Sequence, residues 1–460
     1  MDFISTRGGA PKASFSDVLL AGLAPDGGLY LPTSWPQFSK ADIAAFQGAR
    51  YQDVAFAILS KFTAGSFSDA ELREAIEAAY SDFDAPEIAP LSDLGNGQYL
   101  LELFHGPTLA FKDIALQVLG QLFSRALAKR GGRATIVAAT SGDTGSAAIA
   151  ALGGLPNIDV FVMHPKGRVS DVQRRQMTTS AHANVHNIAI SGTFDDAQSL
   201  VKQLFADTEF SKKISLTAVN SINFARIAAQ SVYYFTATAQ LGKPCSFVVP
   251  TGNFGDIFAG EAAFRMGLDV ARLVIATNSN DIMARALNQG VYEPGDAHAT
   301  LSPSMDIQVA SNFERALFEA CDRDADWTAA AMNDFARDRR LGIPQEVLAN
   351  LRARYSAMAL DDAETLTTIA RIHADTGKII DPHTAVAAGA AREFVHPGTP
   401  TVILSTAHPA KFPDAVTKAI GTPPPEPKRL AGLANLPERL DNLAPDAGLL
   451  KEFIFSRLTA

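Results

Sequence analysis

The sequence predicts an α/β protein built from two doubly wound lobes of mostly parallel sheet, with an added N-terminal α/β element. From residue 98 onward, short β-branched runs alternate with helical stretches, as in ATIVAAT followed by SAAIAALGG. Such alternation is typical of parallel sheets, because successive parallel strands are connected through helices. A second series starts with the helical stretch SINFARIAAQSVYYFTATAQL and resumes with the strand TPTVILST. Two series predict two sheets.

Four segments are expected along the chain. Gly/Pro-rich turns such as GLAPDGGLYLP and the amphipathic stretch SDAELREAIEAAY mark the N-terminal part. A mostly helical region follows the strand RLVIATN, and GTPPPEP interrupts the chain before its C-terminal part. The expected segments are an N-terminal element (1–97), a first lobe (98–219), a second lobe (220–420) and a C-terminal tail (421–460).

The composition favours a large, well-packed globular enzyme. The chain has 460 residues, 47% of them hydrophobic and 19% charged, and its formal net charge is −9. We find no run of Lys and Arg that would form a basic stripe, so no nucleic-acid partner is expected.

Membrane, secretory and metal-binding classes are not expected either. No apolar run reaches the roughly 18 residues of a membrane span, and the N-terminal MDFISTRGG lacks the apolar core of a signal peptide. The two cysteines, Cys245 and Cys321, have no CxxC spacing, which argues against a disulfide framework and a zinc site. We therefore expect a cytoplasmic protein without a metal.

The turn TGNFGD follows the strand-like run SFVVP and precedes a helical stretch. Its two glycines allow backbone N–H groups to converge at a helix N-terminus, which favours a phosphate monoester. The alternative is a tight turn that needs glycine only for a positive φ. Dinucleotide and P-loop glycine patterns are absent. The predicted phosphate-binding residues are Gly252, Asn253, Phe254, Gly255 and Asp256.

Three further segments combine polar residues with predicted strand or helix ends. TSGDTG, with Ser141, Asp143 and Thr144, offers hydroxyls and backbone donors to a carboxylate or phosphate, or is an ordinary helix cap. In HGPTLAFKD, Lys112 begins a helix, where the helix dipole disfavours its ammonium form; an exposed lysine is the alternative. STAHPAKF, with Thr406, is an unusual polar turn after the strand TVIL.

Nine motifs, in order, resemble those of threonine synthases, which are pyridoxal-phosphate enzymes of the tryptophan-synthase-β-like class, fold type II. The resemblance extends from residue 4 to about residue 412. The motifs are STRGG, PDGGLYLP, FHGPTLAFKD, TSGDTG, NSINFARI, PTGNFGD, SPSMDI with SNFER, DPHTAVA and STAHPAKF.

The resemblance implies roles for individual residues. Lys112 would be the Schiff-base lysine, and the turn from Gly252 to Asp256 would bind the phosphate of pyridoxal 5'-phosphate. Thr406 would hydrogen-bond the pyridine nitrogen, and Asp143 would lie near the phenolic oxygen. The implied substrate-binding residues are Ser141 and Thr144 for the carboxylate, and Asn220, Ser221 and Arg226 for the substrate phosphate.

The implied reaction converts O-phospho-L-homoserine and water to L-threonine and phosphate, a β,γ-replacement and the last step of threonine biosynthesis. Lys112 would be its mobile base. Two alternatives stay open, a serine/threonine dehydratase-like lyase and a non-catalytic relative that binds phosphorylated ligands. Arg226 and its neighbours separate the first from a threonine synthase, because a dehydratase needs no second phosphate site. The oligomeric state, monomer or homodimer, is left open.

Overall fold

A small antiparallel sheet and four helices form the N-terminal part of the computed structural model, which describes residues 1–140, 142–217 and 221–458. Serine side chains accept from the third helical N–H at the start of three of these helices, which fixes where each begins. The strands are β1 (Asp2–Ser5), β2 (Ala13–Ser14) and β3 (Tyr30–Pro32), and the helices are α1 (Phe15–Ala21), α2 (Lys40–Ala44), α3 (Tyr51–Thr63) and α4 (Asp69–Tyr80).

The larger of two main sheets has six strands. Neighbouring strands are parallel, except for the last two strands at one edge, which are antiparallel. Its central strands are buried, as expected for a sheet covered by helices on both faces. In spatial order the strands are β14 (Tyr355–Ala359), β11 (Val270–Thr277), β10 (Cys245–Pro250), β15 (Thr401–Ser405), β5 (Gln98–Glu102) and β4 (Leu91–Gly95).

The second main sheet has five parallel strands. In spatial order they are β16 (Asp441–Leu443), β8 (Val185–Ile190), β7 (Ile158–Pro165), β6 (Ala134–Ala139) and β9 (Leu216–Thr217). The helices associated with this sheet are α5 (Lys112–Arg130), α6 (Asp143–Leu152), α7 (Asp171–Thr178), α8 (Phe194–Ala206), α9 (Thr208–Lys213) and α19 (Ala447–Arg457).

Helices of the second half surround the six-stranded sheet, and a short antiparallel pair, β12 (Val291–Tyr292) and β13 (Leu341–Gly342), lies among them. The helices are α10 (Phe224–Leu241), α11 (Gly255–Arg265), α12 (Ile282–Gln289), α13 (Phe313–Ala320), α14 (Ala325–Asp338), α15 (Gln345–Arg354), α16 (Asp362–Thr376), α17 (Pro382–Ala391) and α18 (Pro413–Ile420). The 3-10 turns are Pro303–Met305, Arg392–Phe394, Pro409–Lys411 and Leu433–Asn435.

Two mostly parallel sheets with an N-terminal α/β element confirm the predicted fold class. The chain crosses between the sheets more than once. Strand β5 pairs with β15 in the six-stranded sheet, yet the helix α5 that follows it packs against α6 of the other lobe. Strand β16, near the C-terminus, extends the five-stranded sheet beside β8. These crossings place the start of α5 between the carboxyl ends of two sheets, where open α/β folds bind ligands.

Candidate active site

Lys112 is the first residue of α5 and is buried, with 8% of its surface exposed, which excludes the alternative of an exposed lysine. The buried Asp113 holds the loop before it, because Thr108 donates its N–H at 2.8 Å and its hydroxyl at 2.7 Å to that carboxylate. Leu109, in the same loop, has a φ of 61°. Burial lowers the pKa of the Lys112 amine, and the Asp143 carboxylate only partly opposes this. A lysine whose amine has a lowered pKa is better suited than an exposed lysine to act as a nucleophile and a base.

Asp143 begins α6, and its carboxylate faces two lysines. Its Oδ2 lies 3.6 Å from Nζ of Lys112, and its Oδ1 lies 2.8 Å from Nζ of Lys411. Gln173 donates its side-chain N–H to the same Oδ1 at 2.8 Å. Burial raises the pKa of Asp143, but the ammonium groups of Lys411 and Lys112 outweigh burial and hold that pKa well below its ordinary value. Asp143 is therefore an anion in the site.

The turn between β6 and α6 is shaped by Thr140, whose hydroxyl oxygen accepts from the N–H groups of Gly142 at 3.0 Å and Gly145 at 2.9 Å. Gly142 has a φ of 143°, and a Cβ on it would lie 2.4 Å from the Gln173 side chain, so this close approach requires glycine. Thr144 lies half-buried in the first turn of α6, whereas Ser141 lies outside the described residues.

The turn between β10 and α11 meets the requirements of a phosphate site. Helix α11 begins at Gly255, and the residue before it, Phe254, has a φ of 64° and provides no side-chain cap. Among the described residues, the first N–H after Gly252 that donates within the chain is that of Phe258, to the Phe254 carbonyl at 3.1 Å. A Cβ at Gly252 would lie 2.8 Å from the Ser304 carbonyl oxygen. Uncapped N–H groups at a helix start fit an anionic phosphate.

Asp256, in the first turn of α11, points away from these N–H groups. Its carboxylate accepts hydrogen bonds from the hydroxyls of Tyr233 and Tyr234 on α10. Burial raises the pKa of Asp256 to about 7, although the two tyrosine hydrogen bonds lower it. The side chain of Asp256 thus joins α11 to α10, and its backbone N–H is the group available to a phosphate.

Thr406 lies directly after β15 and next to the lysine loop, because the Phe111 N–H donates to its carbonyl at 2.8 Å. Its own N–H donates to the Thr384 hydroxyl oxygen at 3.3 Å. Thr406 is buried as a residue. Its hydroxyl is a group that can donate to a heteroaromatic nitrogen, as the implied position of the pyridine ring requires.

Arg226 is buried in the first turn of α10, with 4% of its surface exposed. Its Nε has no hydrogen-bond partner among the described residues. Burial lowers the pKa of Arg226 to about 10, and the nearby Asp256 only partly opposes this. A buried guanidinium without a bound partner is costly, so its position indicates an anionic ligand. The neighbouring Asn220 lies outside the described residues.

The loop that precedes Arg226 touches the turn after β10. Ser221 and Ser311 share a hydrogen bond between their hydroxyls at 3.1 Å, and Ser311 donates to Oδ1 of Asn253 at 3.2 Å. The side-chain amide of Asn312 donates to the carbonyls of Ser221 at 3.1 Å and Asn253 at 3.0 Å. Ser311 and Asn312 therefore bridge the two predicted phosphate-binding loops by hydrogen bonds to each.

Sequence reasoning left four buried or partly buried site residues without a role: Lys411, Gln173, Ser304 and His383. Ser304 donates its hydroxyl to Asp143 at 3.2 Å and its N–H to Nε2 of His383 at 3.2 Å. Three of the four lie in the motifs SPSMDI, DPHTAVA and STAHPAKF, and their position in these motifs was the signal that could have identified them. Gln173 lies in none of them.

The described residues contain no helix long and apolar enough to cross a bilayer. Within the same residues, no three or more His, Cys, Asp or Glu side chains come together as a metal site. The cations and hydroxyls described above, with the uncapped start of α11, are the groups that this site offers to a ligand.

Comparisons with known proteins agree along the whole chain. Residues 2–80 match the family described as threonine synthase N terminus, residues 85–407 match pyridoxal-phosphate dependent enzyme, and residues 384–454 match threonine synthase, C-terminal. A threonine synthase of Pseudomonas aeruginosa is 49% identical over 99% of this chain and 98% of its own length.

Solved structures give the same result. The crystal structure of a PLP-bound threonine synthase from Brucella melitensis superposes with a TM-score of 0.98, at 48% identity and with all of both chains covered. A threonine deaminase from Solanum lycopersicum reaches a TM-score of 0.51 at 14% identity, covering 93% of this chain and 96% of its own. The deaminase therefore shares the fold alone.

Proposed function

The chain belongs to the threonine synthase family of pyridoxal-phosphate-dependent enzymes, and from that premise we propose that it converts O-phospho-L-homoserine and water to L-threonine and phosphate. The observation that supports this substrate most directly is the buried Arg226, whose Nε has no partner in the described chain. The start of α11 provides one anion site, and Arg226 provides a second. Two phosphates, one on the cofactor and one on the substrate, require two such sites.

The residues present fit pyridoxal phosphate. Lys112 would hold the cofactor covalently, the N–H groups from Gly252 to Asp256 would bind its phosphate, and Thr406 would hydrogen-bond its ring nitrogen. Asp143 would lie near its phenolic oxygen. Bound pyridoxal phosphate supplies an electron sink that stabilises negative charge on the substrate. A hydroxyl at the ring nitrogen, unlike a carboxylate, leaves that nitrogen unprotonated, so charged side chains nearby contribute more to this stabilisation.

The substrate would be oriented at both ends. Ser141 and Thr144, at the start of α6, would bind its carboxylate through hydroxyl and backbone donors. Asn220, Ser221 and Arg226 would bind its phosphate, with the guanidinium providing the charged fork. Clamping both ends fixes Cα, Cβ and Cγ relative to the lysine amine, which is how positioning contributes to rate.

Lys112 would move the protons of the reaction. Its amine would remove the proton from Cα and then one from Cβ, and it would return one proton to Cγ and finally one to Cα. The bond between Cγ and the phosphate oxygen breaks, and phosphate leaves with both electrons of that bond. Water then adds its hydroxyl at Cβ, and its remaining proton goes to the departed phosphate. In the net reaction, one hydrogen moves from Cβ to Cγ, a hydroxyl takes its place on Cβ, and Cα keeps its hydrogen.

The dehydratase-like alternative would use the same lysine and cofactor-phosphate turn but would leave Arg226 without a ligand. The non-catalytic alternative would not explain why Lys112 is buried in surroundings that lower the pKa of its amine. Both are therefore less well supported than the synthase. We also propose that the enzyme acts in the cytoplasm; monomer and homodimer are equally compatible with the site.

An assay with competing substrates tests the proposed reaction. The purified full-length protein with pyridoxal phosphate should release phosphate from O-phospho-L-homoserine and form threonine. It should release far less ammonia from serine or threonine under the same conditions. Efficient deamination of serine with no activity on O-phospho-L-homoserine would instead assign the chain to the dehydratase-like lyases.

Arg226→Ala tests the second phosphate site within that reaction. Loss of a charge-assisted fork should lower kcat/KM for O-phospho-L-homoserine by about 10²-fold or more, while cofactor binding is kept. Arg285→Ala is the matched control. Arg285 lies on α12, outside the site, and its Nε is 2.8 Å from Oδ1 of Asp281, the residue before that helix. An unchanged kcat/KM in Arg226→Ala would show that Arg226 does not bind the substrate phosphate, and it would not contradict the proposed reaction.

A further inference from the structure

A second lysine is buried beside Lys112, and the proposed reaction gives it no task. Lys411 ends the 3-10 turn Pro409–Lys411 after β15 and has no exposed surface. Its Nζ donates to Oδ1 of Asp143 at 2.8 Å and to the carbonyl of Thr108 at 2.8 Å. Two acceptors at this distance meet the hydrogen-bonding needs of a buried ammonium group.

Lys112 has a much poorer environment for a positive charge. Its Nζ is 3.6 Å from the other oxygen of Asp143, which is beyond hydrogen-bond distance, and 5.1 Å from the ring centroid of Phe111. A single carboxylate can neutralise only one of two buried ammonium groups. The shorter distance and the second acceptor favour Lys411 for that pairing.

We propose that Lys411 is a positioning residue that pairs with Asp143 and, through its charge, keeps the amine of Lys112 neutral. This inference rests on the proposed role of Lys112 as the cofactor-binding and proton-moving residue. Lys411 acts in two ways. It directs the Asp143 carboxylate away from Lys112 by holding Oδ1, and it adds a like charge near Lys112.

The other charged groups around the pair act in both directions. Arg226 on α10 is a further like charge near Lys112, whereas Asp256 on α11 is a potential counter-charge. His383 on α17 faces Asp143, and Asp113 on α5 faces Lys411. Burial raises the pKa of Asp113 and of Asp256, which reduces the negative charge that either supplies. Asp143 is therefore the main anion that both lysines share.

The protonation state of Lys112 can be measured directly, without turnover. The full-length chain is produced with lysine labelled with ¹³C at Cε and freed of cofactor, and the Cε chemical shifts are followed against pH. Lys112→Ala identifies the Lys112 resonance. In the wild type, Lys112 should lose its proton at a lower pH than an ordinary, solvent-exposed lysine. A Lys112 midpoint at or above that ordinary value would overturn the proposal without any need for a destabilising variant.

Variants then test whether the charge of Lys411 is the cause. Lys411→Met should raise the midpoint of the Lys112 titration by about 1 pH unit or more, because a like charge is lost and Asp143 turns to Lys112 alone. Asp143→Asn should lower that midpoint, and the double variant should lie between the two single variants. Lys411→Arg, which keeps the charge, should stay close to the wild type.

Lys451→Met is the matched control, since Lys451 pairs with Asp207 outside the site and its loss should leave Lys112 unchanged. A folded Lys411→Met protein with an unchanged Lys112 midpoint would overturn the proposal. That result is distinguishable from failure of the proposed function, because the function is tested separately, by the activity of the wild type on O-phospho-L-homoserine. An inactive wild type would contradict the function whatever the titration shows.

Discussion

Asp143 and Asp256 occupy equivalent places in the two lobes and have opposite electrostatic characters. Each lies in the first turn of a helix that follows a parallel strand, and each is more than nine-tenths buried. Lys411 and Lys112 hold the pKa of Asp143 well below its ordinary value in spite of burial. Burial raises the pKa of Asp256 to about 7, and the hydrogen bonds from two tyrosine hydroxyls lower it only in part.

This difference shows that position in the fold does not determine the role of a first-turn aspartate. At the start of α6 the side chain faces Lys112 and Lys411. At the start of α11 the side chain turns to the tyrosines of α10, and the first N–H groups of the helix have no side-chain cap. The first turn is therefore our proposed side-chain site, and the second is our proposed backbone site.

Lys112→Ala should have the largest effect on the side-chain site. Turnover should be abolished, because Asp143 and Lys411 would remain without the amine that holds the cofactor and moves the protons. Phosphate release from O-phospho-L-homoserine measures this. Lys378→Ala is a suitable control, since Lys378 donates to Ser92 at 2.6 Å, away from these residues. Turnover near the wild-type rate in Lys112→Ala would mean that another group serves as the base.

Gly255→Val should have a smaller effect, on the backbone site. A Cβ at Gly255 would lie 3.3 Å from Nδ2 of Asn312 and 3.6 Å from the Ser221 carbonyl oxygen, so a branched side chain would displace the turn against its neighbour loop. We expect weaker cofactor affinity with a smaller loss of global stability, measured by titrating pyridoxal phosphate into the cofactor-free protein. Gly342→Val is the control, because nothing lies within 4 Å of its Cβ position. Unchanged affinity in a folded Gly255→Val protein would place the phosphate elsewhere.

Asp256→Asn should have the smallest effect, on stability against pH. In the folded protein Asp256 keeps its proton up to a pH near its pKa of about 7, whereas in the unfolded chain it releases the proton near the ordinary aspartate pKa of 3.8. The free energy of unfolding of the wild type therefore falls as pH rises through this window, by up to about 4 kcal/mol from this group. In Asp256→Asn this group no longer titrates, so the free energy of unfolding should fall less over the same pH range.

Thermal unfolding at pH 5 and pH 8 measures the effect. The difference in Tm between the two pH values should be smaller in Asp256→Asn than in the wild type. The comparison with the wild type cancels Asp143, whose lowered pKa has the opposite sign: its stabilising contribution is present at neutral pH and is lost on acidification. An identical pH dependence in both proteins would show that Asp256 is ionised when folded, like Asp143.

Much of the fold was predictable from local patterns. Alternating strands and helices indicated two parallel sheets, and the turn TGNFGD was correctly placed between a strand and a helix, β10 and α11. The partners of individual strands were not predictable in this way. Strand β5 pairs with β15, about 300 residues later, and β16 pairs with β8 across the first lobe. The residues of a short segment do not determine which distant strand that segment pairs with.

The site was predictable where a residue type is unusual for its position, as with Lys112 at a helix start. It was not predictable where a role depends on a distant partner. The contact between Lys411 and Asp143 joins residues far apart in the sequence, and the direction of the Asp256 side chain depends on two tyrosines of another helix. The expected roles of Ser141 and Asn220 stay predictions, since these residues lie outside the described chain.

Lys112, and not its buried neighbour Lys411, is expected to hold the cofactor. Borohydride reduction of the full-length holoenzyme fixes the cofactor to its lysine, and mass spectrometry of the digested protein then locates the modified residue. The structure favours Lys112, because its amine lacks a close hydrogen-bond acceptor, whereas Lys411 is bound to Asp143 and Thr108. A single modified peptide containing Lys112 is the predicted result. Modification of Lys411, or of any other lysine, would contradict the account.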